Sequence, residues 1–189
     1  MDLIVDIQFC KDLQNNLIPK EIFVIAVRQD YIAHWVIAPP SPLKKLPKEA
    51  RRQNDWLCKN CHGFFWQDGN VPAERVKKNL REIFKDCGKL YVRGRDEVDF
   101  LQDLTTADIV NLEEDESCPY FANLTWIGTY GLYHANKFGY LGYNCALNNA
   151  AKLKNWMNNK GQNKQSGNSS SAAADSTSHD WGLPVGFDS

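Results

Sequence analysis

Three extended segments open this chain, and a proline cluster shuts them off. Leu3 to Ile7 and Ile22 to Val27 are apolar runs rich in branched side chains, with the polar stretch Lys11-Asp12-Leu13-Gln14-Asn15-Asn16 between them. Branched residues suit a pleated surface, and two such runs around a polar break predict an antiparallel pair. Tyr31 to Ala38 restarts the extended pattern as a third strand. Pro39-Pro40-Ser41-Pro42 must end it, because proline lacks a ladder donor and restrains the residue before it.

Helical signals follow. Lys48 to Lys59 has few breakers and sets Ala50, Asn54, Leu57 and Cys61 near one face. Pro72 to Cys87 opens with proline in its first turn and carries the stripe Val76, Leu80, Ile83, Phe84, until Gly88 stops it. Leu90-Tyr91-Val92 reads as a buried strand, Asp96 to Leu104 as a short helix, and Ile109 to Leu112 as a further strand. From Ser117 to Tyr143 glycines and aromatics show no period, which predicts a loop-rich excursion. Cys145 to Met157 returns to helical spacing. Strands, helices and a closing helix in this order predict an α/β domain over residues 1–158, with helices on the faces of a mixed β-sheet whose first three strands are antiparallel. Residues 159–189 read as a disordered Ser/Asn/Gly/Ala-rich tail ending in the apolar Trp181-Gly182-Leu183-Pro184-Val185-Gly186-Phe187.

At 189 residues the chain has room for one domain with a sizeable core plus that tail. The net charge of −1 excludes a uniformly basic nucleic-acid binder but hides an asymmetry. Lys44 to Arg95 is about +8, and Asp96 to Glu116 is about −9. Within the basic part, Arg51 and Arg52 precede Trp56, and His62, Phe64, Phe65 and Trp66 follow, interleaving cations with rings as single-strand binding requires. Arg51, Arg52, Lys59, His62, Lys77, Lys78 and Arg81 are therefore candidate contacts to RNA or single-stranded nucleic acid. The other reading makes Phe64, Phe65 and Trp66 core residues and Lys77, Lys78, Arg81 and Lys85 a solvated helix face.

The N-terminus shows no secretory pattern and no apolar run reaches spanning length, so an intracellular protein, cytoplasmic or nuclear, is expected, with no membrane partner. Its six cysteines are then core thiols or metal ligands. Cys58-Lys59-Asn60-Cys61-His62 has the spacing of a c-type haem attachment or half a zinc site, but no second such pair follows.

Four short strings lie in a telling order: Asp6-Ile7-Gln8, Cys61-His62-Gly63-Phe64, Arg95-Asp96-Glu97-Val98-Asp99-Phe100-Leu101, and Asn144-Cys145-Ala146-Leu147-Asn148-Asn149-Ala150. Over residues 2 to 158 this order resembles the ribonuclease H-like exonucleases, whose site holds four acidic residues and a histidine. The resemblance implies that Asp6 and Glu97 persist, whereas Gln8, Asn144 and Asn149 stand where catalytic groups belong. Such a site needs carboxylates to hold two divalent cations, so no two-metal magnesium site is expected.

Pro19-Lys20-Glu21-Ile22, Gly131-Leu132-Tyr133-His134 and Cys145-Ala146-Leu147 are similar to the Maelstrom domain, a branch of the same fold carrying a Glu, Cys, His, Cys zinc cluster. That likeness implies one structural zinc on Glu21, His134 and Cys145. Gly131 replaces a ligand cysteine, and Cys118 is the chemically adequate substitute. The expected function is a catalytically degenerate exonuclease-fold domain that binds RNA or single-stranded nucleic acid, in mobile-element control. The alternatives are an active nuclease with an altered site, and a protein-interaction scaffold whose C-terminal segment docks a protein partner.

Overall fold

The computed structural model describes residues 1–12, 14, 16–124 and 145–166. It contains a five-stranded sheet of order β3-β2-β1-β4-β5, made of β1 (Leu3–Lys11), β2 (Leu17–Ala26), β3 (Ile32–Val36), β4 (Lys89–Val92) and β5 (Asp108–Asn111). β2 runs antiparallel to both β1 and β3, while β4 is parallel to β1 and β5 to β4. The architecture is α/β with the first three strands antiparallel.

Both opening strands outrun their apolar segments. The two-residue alternation continues through Gln8, Phe9, Cys10 and Lys11, so the polar residues are strand positions and only the tip is a turn. At the tip, the Asp12 carboxylate accepts the N–H groups of Gln14 and Asn16. The same alternation sorts side chains into two layers. Leu3, Val5, Ile7, Ile22 and Val24 pack against Val76, Leu80 and Phe84 of α2 (Ala73–Phe84) and Leu101 of α3 (Arg95–Leu101). On the other face, Ile4, Phe23 and Ile25 meet Ala146, Ala150 and Leu153 of α4 (Ala146–Ser166). Asp6 and Gln8 fall on this second face, as does Glu21, which pairs with Gln8.

The register of β1 on β2 slips between Gln8 and Phe9, leaving Lys20 as the extra residue of a bulge. Its ammonium is buried and donates to the carbonyls of Ile37 at 3.0 Å and Trp66 at 2.7 Å, and also to that of Asp68. One buried cation thus gathers the chain that leaves β3 and the loop before α2. Gly69 closes that loop at φ +89, where a Cβ would stand 2.4 Å from the Ile37 carbonyl oxygen, so only glycine fits.

α1 (Lys48–Leu57) is fixed to the far end of β1 by Asn54. The Asn54 amide donates to the Lys11 carbonyl and accepts from the Lys11 N–H, both at 2.8 Å. A π-helical turn, Cys58–His62, follows and ends on Gly63 at φ 73. It brings Cys58 and His62 inward and leaves Leu57 and Cys61 only half-buried, which corrects the face expected from an unbroken α-helical period.

α4 continues to Ser166, past the boundary expected at residue 158. Lys160 holds the added turns by pairing with Asp115 at 2.8 Å. The tail residues 167–189, including Trp181 to Phe187, and residues 125–144 lie outside the described residues. Among the described residues no helix is long and apolar enough to cross a membrane.

Candidate functional site

Glu21 is fully buried, at 0% exposure, beneath the start of α4. Its Oε2 accepts the Ala146 N–H at 2.8 Å, while Oε1 lies 2.9 Å from His34 Nε2 and 3.5 Å from Cys145 Sγ. The first turn of a helix has N–H groups without intrahelical partners and the positive end of its dipole, so a carboxylate is well matched there. Two of the four expected zinc donors, Glu21 and Cys145, are therefore in contact.

His34 is the third member of this group, and sequence reasoning missed it. β3 pairs with β2 so that Val36 stands opposite Glu21 and His34 opposite Phe23. His34 is thus the diagonal neighbour of Glu21 on the same face, within reach of a long side chain. Strand alternation and the antiparallel register together could have found it.

Cys118 belongs to the apolar cluster that also holds Leu112, Leu124 and Ala146, and burial pushes its pKa up while the neighbouring Arg93 opposes that shift. His134 and Asn144 fall outside the described residues. Among the described residues, no group of three or more His, Cys, Asp or Glu side chains is arranged to hold a metal ion.

A second cluster, around Asp6, lies one turn deeper along α4. Asp6, 2% exposed, receives two amide donors on Oδ2: Gln8 Nε2 at 2.9 Å and Asn149 Nδ2 at 3.3 Å. Burial pushes the Asp6 carboxyl well above its ordinary range, with Glu97 adding to the shift and the two amides opposing it. Glu97 stands at the start of α3, just beyond the carboxyl end of β4, and folds back over Gly94. A Cβ at Gly94 would lie 2.3 Å from Glu97 Oε2. Burial raises Glu97 to about 7, with Asp96 and Glu113 contributing. Asp6, Gln8 and Asn149 are thus in hydrogen-bond contact, with Glu97 near enough for its charge to be felt at Asp6.

The basic candidates divide. Arg51, Arg52 and Lys59 are exposed on α1 and its π turn, on the sheet face that also carries Asp6. Lys78 and Arg81 are exposed on α2, on the opposite layer, where Lys77 pairs with Glu74 at 2.9 Å. His62 is 1% exposed, with Nδ1 accepting the Phe64 N–H at 3.1 Å, so it is not a surface contact. Phe64 and Trp66 are buried as well, which leaves Trp56 as the exposed ring of that segment.

No protein-family profile matches the chain, and no curated protein sequence matches it. Among solved structures, the chain is similar to exonuclease X in complex with 5′ overhanging duplex DNA. The identity is 15% and the TM-score 0.44, over 85% of this chain and 93% of that one.

Glu97 generates a pH prediction. Its folded value of about 7 exceeds an unfolded value of about 4.3, so the folded state holds this proton more tightly. The resulting stability is present below about pH 4.3 and is lost as pH rises through about 7. Glu97→Gln keeps the neutral shape and escapes that loss. In thermal melts the variant and the wild type should converge near pH 4, with the variant melting higher at pH 8. An equal difference at both pH values would contradict the placement of Glu97.

Proposed function

We propose that this chain is a catalytically degenerate domain on an exonuclease-like fold that binds RNA or single-stranded nucleic acid and does not cut it. The observation that carries the reading is the pair of amide donors on Asp6 Oδ2. Gln8 and Asn149 deliver N–H groups to the oxygen where a two-metal site would present a lone pair to a cation. Two divalent cations about 4 Å apart repel by roughly 16 kcal/mol at an effective dielectric of about 20. Several carboxylates must offset that repulsion. Here one of the two remaining carboxyls, Glu97, is pushed up to about 7, and burial pushes the other, Asp6, well above the ordinary carboxylate range.

The binding half of the proposal rests on α1. Among the described residues, Arg51, Arg52, Lys48 and Lys59 have no carboxylate within ion-pair distance, whereas Lys77 and Lys85 of α2 and its end are paired with Glu74 and Glu82. Unpaired exposed cations beside a ring suit a polyanion. A role in mobile-element control follows from the Maelstrom resemblance alone.

With a labelled single-stranded RNA, binding should persist in EDTA and the RNA should remain full length in magnesium. Affinity should fall steeply with salt. Arg51→Ala combined with Arg52→Ala should weaken binding on the order of tenfold and reduce the salt slope by about two. Magnesium-dependent shortening that Asp6→Asn abolishes would favour the active-nuclease reading instead.

The proposal includes one structural zinc, because Glu21 and Cys145, the first and last donors implied by the resemblance, touch one another. Bound there, zinc would tie β2 to the start of α4, with His134 as a further donor. Elemental analysis of purified protein should find stoichiometric zinc that Cys145→Ser removes. Zinc-free wild-type protein would remove this part.

A further inference from the structure

Trp56 is the large apolar side chain that α1 leaves in water, at 59% exposure. The helix buries Ala50 and Asn54, and Cys58 extends that face into the π turn. At 100° per residue Trp56 projects on the opposite side. Lys48 and Arg52 precede it at eight and four residues, and Lys59 follows at three, so these positions form one exposed row. Lys48, Arg52 and Trp56 lie about 6 Å apart along the helix axis, and Lys59 about 4.5 Å further on. Glu49 and Asp55 share the helix, but neither pairs with Lys48, Arg51, Arg52 or Lys59 among the described residues. Asn60 Nδ2 bonds the Trp56 carbonyl at 2.8 Å, fixing the backbone where α1 passes into the π turn.

Resting on the nucleic-acid reading above, we infer that Trp56 is a stacking platform for an unpaired base, framed by Arg52 and Lys59 as phosphate contacts, and that this row selects single strands over duplexes. An indole offers a flat π-face that any base can cover, so it confers affinity without sequence preference. In a duplex the base faces are already stacked on one another and only the edges remain open, so the ring gains nothing there. The flanking cations meet the backbone of either form. Single-strand preference therefore resides in Trp56, and salt dependence resides in Arg52 and Lys59.

The test is anisotropy with labelled oligo(dT), oligo(U) and a duplex of equal length, on the full chain and on Trp56→Ala, Trp56→Phe and Arg52→Ala. Trp56 is exposed, so its replacement leaves the core intact. Trp56→Ala should lower single-strand affinity about tenfold, leave duplex affinity and the salt slope unchanged, and be largely rescued in Trp56→Phe. Arg52→Ala should instead lower the slope by about one for both forms. Wild-type tryptophan emission should be quenched by oligo(dT) more than that of Trp56→Phe. If the wild type binds single strands and Trp56→Ala binds them equally well, the stacking role is overturned while the function proposed above stands. If the wild type shows no salt-sensitive binding, both are overturned.

Discussion

One buried carboxylate ties together the parts of this molecule that matter. Glu21 enters from β2, receives the Ala146 N–H at the start of α4 and reaches His34 on the edge strand β3. A charge-assisted hydrogen bond contributes about 1.5–3 kcal/mol, and removing a partner from a buried charge costs more. That anchoring sets the axial position of α4 on the sheet. Asn149, just after the first turn, is then held where its amide reaches Asp6 on the neighbouring strand. The bulge at Lys20 precedes Glu21 directly, and its ammonium gathers the carbonyls of Ile37 and Trp66 beside the same strand. An acid and a base adjacent in sequence thus organise different loops of the fold.

The site that results is neutralised from within. In a metal-dependent arrangement the positive charge beside Asp6 would come from cations. Here partial positive charge comes from the amides of Gln8 and Asn149, and burial, with the repulsion of Glu97, favours the protonated Asp6 carboxyl. On the function proposed, the buried Asp6 cluster is a structural joint and the working surface is α1. The two are physically connected. α1 is pinned to β1 through Asn54 and Lys11, five residues beyond Asp6 on the same strand.

Much of the fold was legible because period and punctuation agree. The branched runs gave strands, Pro39 to Pro42 ended the third, and Pro72 and Gly88 bracketed α2. What period could not show was the strand extension through mixed residues 8–11, the π turn that redirects Cys58 and His62, and the turns of α4 beyond residue 158 that Lys160 holds through Asp115. At the site, motif order singles out Asp6, Gln8 and Asn149, which lie in hydrogen-bond contact, and the zinc pattern singles out Glu21 and Cys145, which lie 3.5 Å apart. His34 was overlooked because its role arises only when the strand register sets it diagonally from Glu21. The basic residues of α1 and α2, adjacent in sequence, are separated by the thickness of the sheet.

Calorimetric titration with manganese tests most directly whether the amide donors on Asp6 occupy the place of metal cations. The wild type should give no binding heat attributable to Asp6, with traces unchanged in Asp6→Asn. The double variant Gln8→Glu, Asn149→Asp, which turns both donors into carboxylates, should acquire manganese binding. Wild-type binding that Asp6→Asn removes would contradict the account.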